Sequence, residues 1–312
     1  MLLHEHLENG ADKNPNFPFS EFEGNSLSYQ EANLLSNQLA NKLVSEGLEV
    51  GDRFAFLAKN CTEMAIMYYA ASKVGAVPVP LNYRLADQEW AYIINDSEAK
   101  LIIVKGNEYS DRINQISSEL KNVKKYISIS LDNSIEKFQD FYDWLSDSSN
   151  EKPTLKIHEN DDVYQMYTSG TTGHPKGAVL LQRNVAANIR QYLNSLTLPR
   201  PSRTLLVAPM YHAAAMINMC GCIAIGGTIV IQEDFIPQDV VDCLANEKIT
   251  HTVLVPAMIQ ACLVSVPNVA NNEYNDLDQI HYGASPIAPE TLKKAMDVFK
   301  CKFGQGFGMT ET

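Results

Sequence analysis

The chain has 312 residues, 45% of them hydrophobic, and carries a formal net charge of -12. That is enough apolar mass for one large domain or two lobes, and 16 Gly with 14 Pro is ordinary usage that excludes fibrous and low-complexity classes. A pI of about 5.0 argues against non-specific nucleic-acid binding, which needs an excess of Lys and Arg, but leaves room for a nucleotide held by a few local donors.

The opening residues, MLLHEHLENGADKN, lack a basic stretch followed by an apolar run and do not read as a secretory signal. Ser28 is placed to cap a helix with Glu31 as its reciprocal partner; Leu35, Leu39 and Leu43 then repeat every four residues, and Gly47 is the stop. Phe54 to Ala58 reads as a buried strand, Thr62 to Lys73 as a helix closed by Gly75, and Val77 to Val79 as a strand between prolines. Leu101 to Val104 is a strand, Asp111 to Leu120 a helix, and the polar stretch 143–162 a surface linker.

Past Val163 to Tyr167, another strand, the alternation resumes. Strands are predicted at Leu205 to Ala208, Thr228 to Ile231 and Thr252 to Val255. Helices are predicted at Ala213 to Ile225, Pro237 to Asn246 and Pro289 to Phe299, the last two with Pro in the first turn. The apolar run from Ala213, broken by Asn218 and Gly221, is too short to span a bilayer. This pattern predicts an α/β fold of two doubly wound, mostly parallel sheets covered by helices, with sub-lobes of roughly 1–180 and 181–312. Cys61, Cys220, Cys222, Cys243, Cys262 and Cys301 form no CxxC pair and read as small thiols in a reducing compartment, so the expected location is cytoplasmic. Thr312 closes the segment GQGFGMTET with no closing element after it, and the sequence reads as a fragment.

The segment richest in chemistry is Tyr167-Thr-Ser-Gly-Thr-Thr-Gly-His-Pro-Lys-Gly177. Thr168, Ser169, Thr171 and Thr172 supply hydroxyls, Gly170 and Gly173 let the backbone turn with free N–H groups, and Lys176 supplies a cation. A polyphosphate needs such donors for charge neutralisation and orientation. The P-loop pattern GxxxxGK[ST] does not fit, since Pro175 and Gly177 occupy its second Gly and its Ser/Thr. A solvated polar loop would account for a lone TSG tripeptide. It does not account for turn glycines, hydroxyls and a lysine combined behind a buried strand.

YTSGTTGHPKG resembles the signature loop of the adenylate-forming superfamily, which contains acyl-CoA synthetases, aryl-CoA ligases, luciferases and peptide-synthetase adenylation domains. Further similar segments occur in the family's order across nearly the whole chain: LSYQEANLLSNQLANKL, GDRFAFLAKNC, YYAASKVGAVPVPLNYRL, LLQRNVAANI, PMYHAAA, HYGASPIAPE and GQGFGMTET. The resemblance is to the N-terminal domain of an acyl-CoA synthetase, and it implies ATP, Mg²⁺ and CoA as reactants. Thr168 to Lys176 would wrap the β- and γ-phosphates. Gly283, Ala284 and Ser285 would line the adenine and ribose. Phe307 would stack on adenine between Gly306 and Gly308, which let the backbone approach closely. Thr310 would bond the α-phosphate, and Glu311 would help hold Mg²⁺. His212 and Met216 would border the acyl pocket, His212 as a wall or gate and not as a base.

The implied reaction is attack of a carboxylate on the α-phosphate with loss of pyrophosphate. A carboxylate is already ionised at neutral pH and needs no base, so the work falls on positioning and on stabilising phosphoryl charge. In the family a small C-terminal lid domain, with a hinge and a catalytic Lys, then serves thioester formation with CoA. That lid and the ribose-binding Asp are expected to lie outside these residues, so the fragment alone is expected to be weakly active. The stretch Tyr211 to Ala215 has no acidic residue to meet an α-amino group, which favours an acid without one. The alternatives are a module loading the phosphopantetheine thiol of a carrier protein and a non-catalytic nucleotide-binding relative. No nucleic-acid partner and no membrane span are expected.

Overall fold

The computed structural model describes residues 1–130, 135, 137–168, 173–196 and 201–311. In chain order, α1 (Leu3–Lys13) leads into a hairpin of β1 (Pro18–Phe22) and β2 (Asn25–Ser28), then α2 (Tyr29–Ser45). The predicted cap is present: Ser28 Oγ accepts from the Glu31 N–H, and the Glu31 carboxylate accepts from the Ser28 N–H at 2.8 Å. A parallel sheet follows, made of β3 (Arg53–Leu57), β4 (Val77–Leu81), β5 (Leu101–Lys105), β6 (Lys125–Ile129) and β7 (Phe138–Asp140). Its strand order is β4-β3-β5-β6-β7. The connections carry α3 (Thr62–Val74), α4 (Asp87–Asp96) and α5 (Asn107–Ile116), and α6 (Phe141–Leu145) follows β7.

An antiparallel hairpin of β8 (Asp162–Thr168) and β9 (Lys176–Leu181) is a small sheet of its own, followed by α7 (Gln182–Ser195). The remainder is β10 (Arg203–Leu206), α8 (Ala213–Ala224), β11 (Thr228–Ile231), α9 (Pro237–Asn246), β12 (His251–Val253), α10 (Pro256–Ser265), β13 (Gln279–Gly283), α11 (Pro289–Phe299) and β14 (Lys302–Gly306). These strands join the first hairpin in the order β14-β13-β12-β10-β11-β1-β2, parallel except for the pair β1 and β2. Sheet membership therefore does not follow chain order, because residues 18–28 complete a sheet otherwise built from residues 203–306.

The two large sheets are the second and fourth of five layers, and strand alternation sets this. Successive side chains point to opposite faces. Phe54, Phe56, Leu101 and Ile103 thus face a central core shared with Leu206, Ile229 and Ile231, while Ala55, Leu57, Ile102 and Val104 face outward under α4 and α5. Leu205 and Val230 face the third cluster, under α9, α10 and α11. α3 lies in the central layer and is buried from Met64 to Val74, which is why it lacks a polar stripe.

Two expectations shift. The helix predicted from Asp111 begins at Asn107, directly after Gly106 at φ +94°. The predicted linker begins inside α6, where Trp144 and Leu145 are buried in the central core. Among the described residues no helix is long and apolar enough to cross a membrane.

Candidate active site

Strands β10 to β14 are mutually parallel where they pair, so their carboxyl ends share one edge of the sheet, the side on which open α/β sheets bind ligands. Gly283 ends β13 and Gly306 ends β14, and the two are register partners. A Cβ on Gly283 would stand 2.4 Å from the Gly306 carbonyl oxygen, so the two strand ends touch backbone to backbone only because one is glycine. Nothing lies within 4 Å of the Cβ direction at Gly306 or Gly308. Ala284 follows at φ +66°, a left-handed conformation strained for a residue with a side chain, and turns the chain outward at Ser285. Phe307 is 95% exposed. Thr310 is half-buried and Glu311 exposed in the turn that follows. The result is an open ledge bordered by glycines, an aromatic ring, a hydroxyl and a carboxylate.

The second assembly is the end of the β8–β9 hairpin. Thr168 pairs with Lys176 and Tyr167 with Gly177, so residues 169–175 bridge the two strand ends. Ser169, Gly170, Thr171 and Thr172 lie outside the described residues. Gly173 sits at φ +136°, a conformation that favours glycine. Thr168 is half-buried and Lys176 exposed, and among the described residues the Lys176 ammonium has no ion-pair partner. Gly177 is a packing glycine, because a Cβ there would lie 2.3 Å from Gln165 Nε2 and 2.9 Å from Tyr167 Cζ. Those side chains form a relay: Arg53 Nε donates to Gln165 Oε1 at 3.2 Å, Gln165 Nε2 to the Tyr167 hydroxyl at 3.0 Å, and that hydroxyl to Asp96 Oδ2 at 2.6 Å. Burial, then the Asp96 carboxylate, raises the Tyr167 pKa, so the hydroxyl keeps its proton.

His212 precedes α8, past the carboxyl end of β10. His212 is exposed, and its ring lies 4.3 Å from the Tyr211 ring. Tyr211 meets Tyr83 edge-on at 5.6 Å. Tyr83, past the end of β4, donates to Asp234, past the end of β11, at 2.9 Å, and so ties the two large sheets together. Partial burial and then the Arg84 cation lower the His212 pKa, which keeps the imidazole neutral at pH 7. Met216, one turn further along α8, is buried in the central core, with Cys220 Sγ 3.5 Å from its sulfur.

The structure brings the two later glycine motifs into direct contact, sets Thr168 opposite Lys176, and places His212 where the two sheets are tied. Tyr92, Asp96, Gln165 and Arg53, which contact or support the hairpin, carried no sequence signal, because their partners lie 71 to 112 positions away or on a turn whose path is not local. The thiols are free, and among the described residues no group of three or more His, Cys, Asp or Glu could hold a metal.

Residues 7–312 match the sequence model for the AMP-binding enzyme family. A long-chain-fatty-acid–CoA ligase of Mycobacterium tuberculosis is 30% identical over 288 residues, which cover 92% of this chain and 55% of that protein. A fatty acid–[acyl-carrier-protein] ligase of Streptomyces coeruleorubidus is 31% identical over 310 residues, covering 97% of this chain and 57% of the relative. The chain thus spans little more than half the length of these relatives. The inhibitor-bound N-terminal domain of FACL13 from Mycobacterium tuberculosis superposes with a TM-score of 0.90 at 26% identity, over 99% of this chain and 76% of that one.

Proposed function

This chain belongs to the AMP-binding enzyme family, and from that premise we propose that it supplies the nucleotide and acid sites for ATP-dependent activation of a carboxylic acid. A carboxylate oxygen attacks the α-phosphorus, the bond to the bridging oxygen breaks, and acyl adenylate and pyrophosphate result. The observation that carries this reading is the glycine-bordered ledge at the ends of β13 and β14, open above Gly306 and Gly308. A flat base can lie there against Gly283, Ala284 and Phe307. Thr168, Gly173 and Lys176, with Ser169, Gly170, Thr171 and Thr172 of the same signature, are assigned to the β- and γ-phosphates, and Thr310 to the α-phosphate.

The single carboxylate Glu311 suits magnesium that arrives with the triphosphate, which it would help hold alongside phosphate oxygens and water. Bound there, the ion neutralises phosphate charge. The chain's own residues orient the nucleotide and place an ammonium where charge builds on the leaving group. Neutral His212 suits the wall of the acid site, with Met216 behind it. No acidic side chain occurs from Tyr211 to Ala215, which supports an acid without an α-amino group. For the acceptor we favour CoA, as named for the mycobacterial relative; the acyl-carrier-protein ligase keeps a carrier thiol as the second reading. Free thiols support a reducing, cytoplasmic setting.

Isotope exchange between pyrophosphate and ATP, run with a panel of fatty, aryl and amino acids, tests the reading. A fatty or aryl acid without an amino group is expected to stimulate exchange. Lys176→Ala is expected to weaken Mg-ATP binding about ten- to a hundredfold, the worth of a charge-assisted contact. Nucleotide binding that ignores Lys176 would overturn the assignment.

A further inference from the structure

The β8–β9 hairpin is held from outside its own sheet, by α4. One face of α4 is anchored: Trp90, Ile93 and Ile94 are buried, Trp90 Nε1 donates to the Asn82 carbonyl at 2.8 Å, and Arg112 Nε donates to Asp87 at 2.7 Å. Tyr92 and Asp96, one turn apart, meet the hairpin. The Tyr92 ring stacks on the His174 imidazole with centroids 4.6 Å apart and planes at 20°, and its hydroxyl donates to the Pro175 carbonyl at 3.4 Å. Asp96 accepts from the Tyr167 hydroxyl at 2.6 Å. Tyr167 adjoins Thr168, and His174 and Pro175 adjoin Lys176. The same helix face thus grips both limbs immediately next to the paired residues assigned to the triphosphate.

We propose that Tyr92 and Asp96 are positioning residues for triphosphate binding: α4 is a fixed clamp that holds Thr168 and Lys176 in register before the nucleotide arrives. This rests on the adenylate-forming reading above. A glycine-flanked strand end costs conformational entropy to order, and holding it in advance removes that cost from binding. The stack depends on an aromatic ring at His174 within the loop and on a ring at Tyr92, and a phenylalanine at 92 retains it.

The test is calorimetric titration of Mg-ATP and of AMP into the 312-residue chain and its variants Tyr92→Ala, Tyr92→Phe, His174→Ala and the double alanine. AMP lacks the phosphates this clamp serves. Tyr92→Ala and His174→Ala are each expected to weaken Mg-ATP about three- to tenfold, the range an aromatic pair supports, with AMP affinity unchanged. Tyr92→Phe is expected to stay close to wild type, and the double variant to be little worse than either single. His174 is exposed, so its variant reports on the clamp even if loss of the Tyr92 ring disturbs α4. Unchanged Mg-ATP affinity in both single variants, or an equal loss for AMP, overturns the clamp while leaving the functional reading in place. A wild-type chain that binds neither nucleotide overturns both.

Discussion

A missing methyl group decides the geometry of the ledge. At Gly283 the obstacle to a Cβ is a backbone carbonyl, which cannot rotate away, whereas Gly308 has nothing near it. Gly283→Ala is therefore expected to lose about 1–3 kcal/mol of stability by urea denaturation, as overpacking does. Gly308→Ala is expected to leave the urea midpoint in place yet weaken AMP, because its new methyl would enter space left for the ligand. Equal effects on stability would contradict the division. The sequence marks both as motif glycines, but their different neighbours arise only when β13 and β14 pair. Gly177 makes the same point, since its need for glycine comes from the Gln165 and Tyr167 side chains packed across the hairpin.

Elements with punctuation at one or both ends were legible in the sequence. α2 has its reciprocal cap and Gly47, α3 ends at Gly75, and α9 and α11 start with Pro. Each signal is local, so it survives without knowledge of the tertiary structure. Ser28→Ala is expected to cost about 1 kcal/mol of stability with the denaturant slope unchanged, measurable by urea titration. α4 was missed because Ala86 offers no capping side chain, although Glu89 still closes on the Ala86 N–H at 2.9 Å. α6 hid inside a polar stretch because the burial of Trp144 and Leu145 depends on the central core. Gln38 and Asn41 of α2 fasten the segment behind it by donating to the carbonyls of Leu145, Ser149 and Glu151.

Over the whole molecule, burial of neutral histidines couples stability to acid. His251 lies between β10 and β13, within hydrogen-bonding reach of Ser202 and Thr204, and burial pushes its pKa down to about 3. Burial likewise lowers His4, which meets Ser72 at 3.0 Å where α1 docks on α3. A histidine with a depressed folded pKa leaves the unfolded chain binding more protons below its ordinary value of 6.5. Stability is then fully present above that pH and falls as pH drops from there toward 3. For His251 the slope is expected to approach about 1.4 kcal/mol per pH unit below 6.5, with His4 acting in the same direction. Urea midpoints between pH 7 and 5 read this before carboxylates such as Glu63, held low by Lys105, begin to titrate. A flat profile across that interval would show the imidazoles to be hydrated in the native state.

The pairing of β1 with β11, Ser20 beside Ile229, has a consequence for biosynthesis. A ribosome adding roughly 5–20 residues per second needs about 10–40 s to travel from one strand to the other. Throughout that interval the nascent hairpin, with Phe19 destined for the interior, has no neighbour on its inner side. The β1–β2 hairpin is thus made long before the strand it docks on, and chaperone demand should concentrate on this hairpin while it waits for β11.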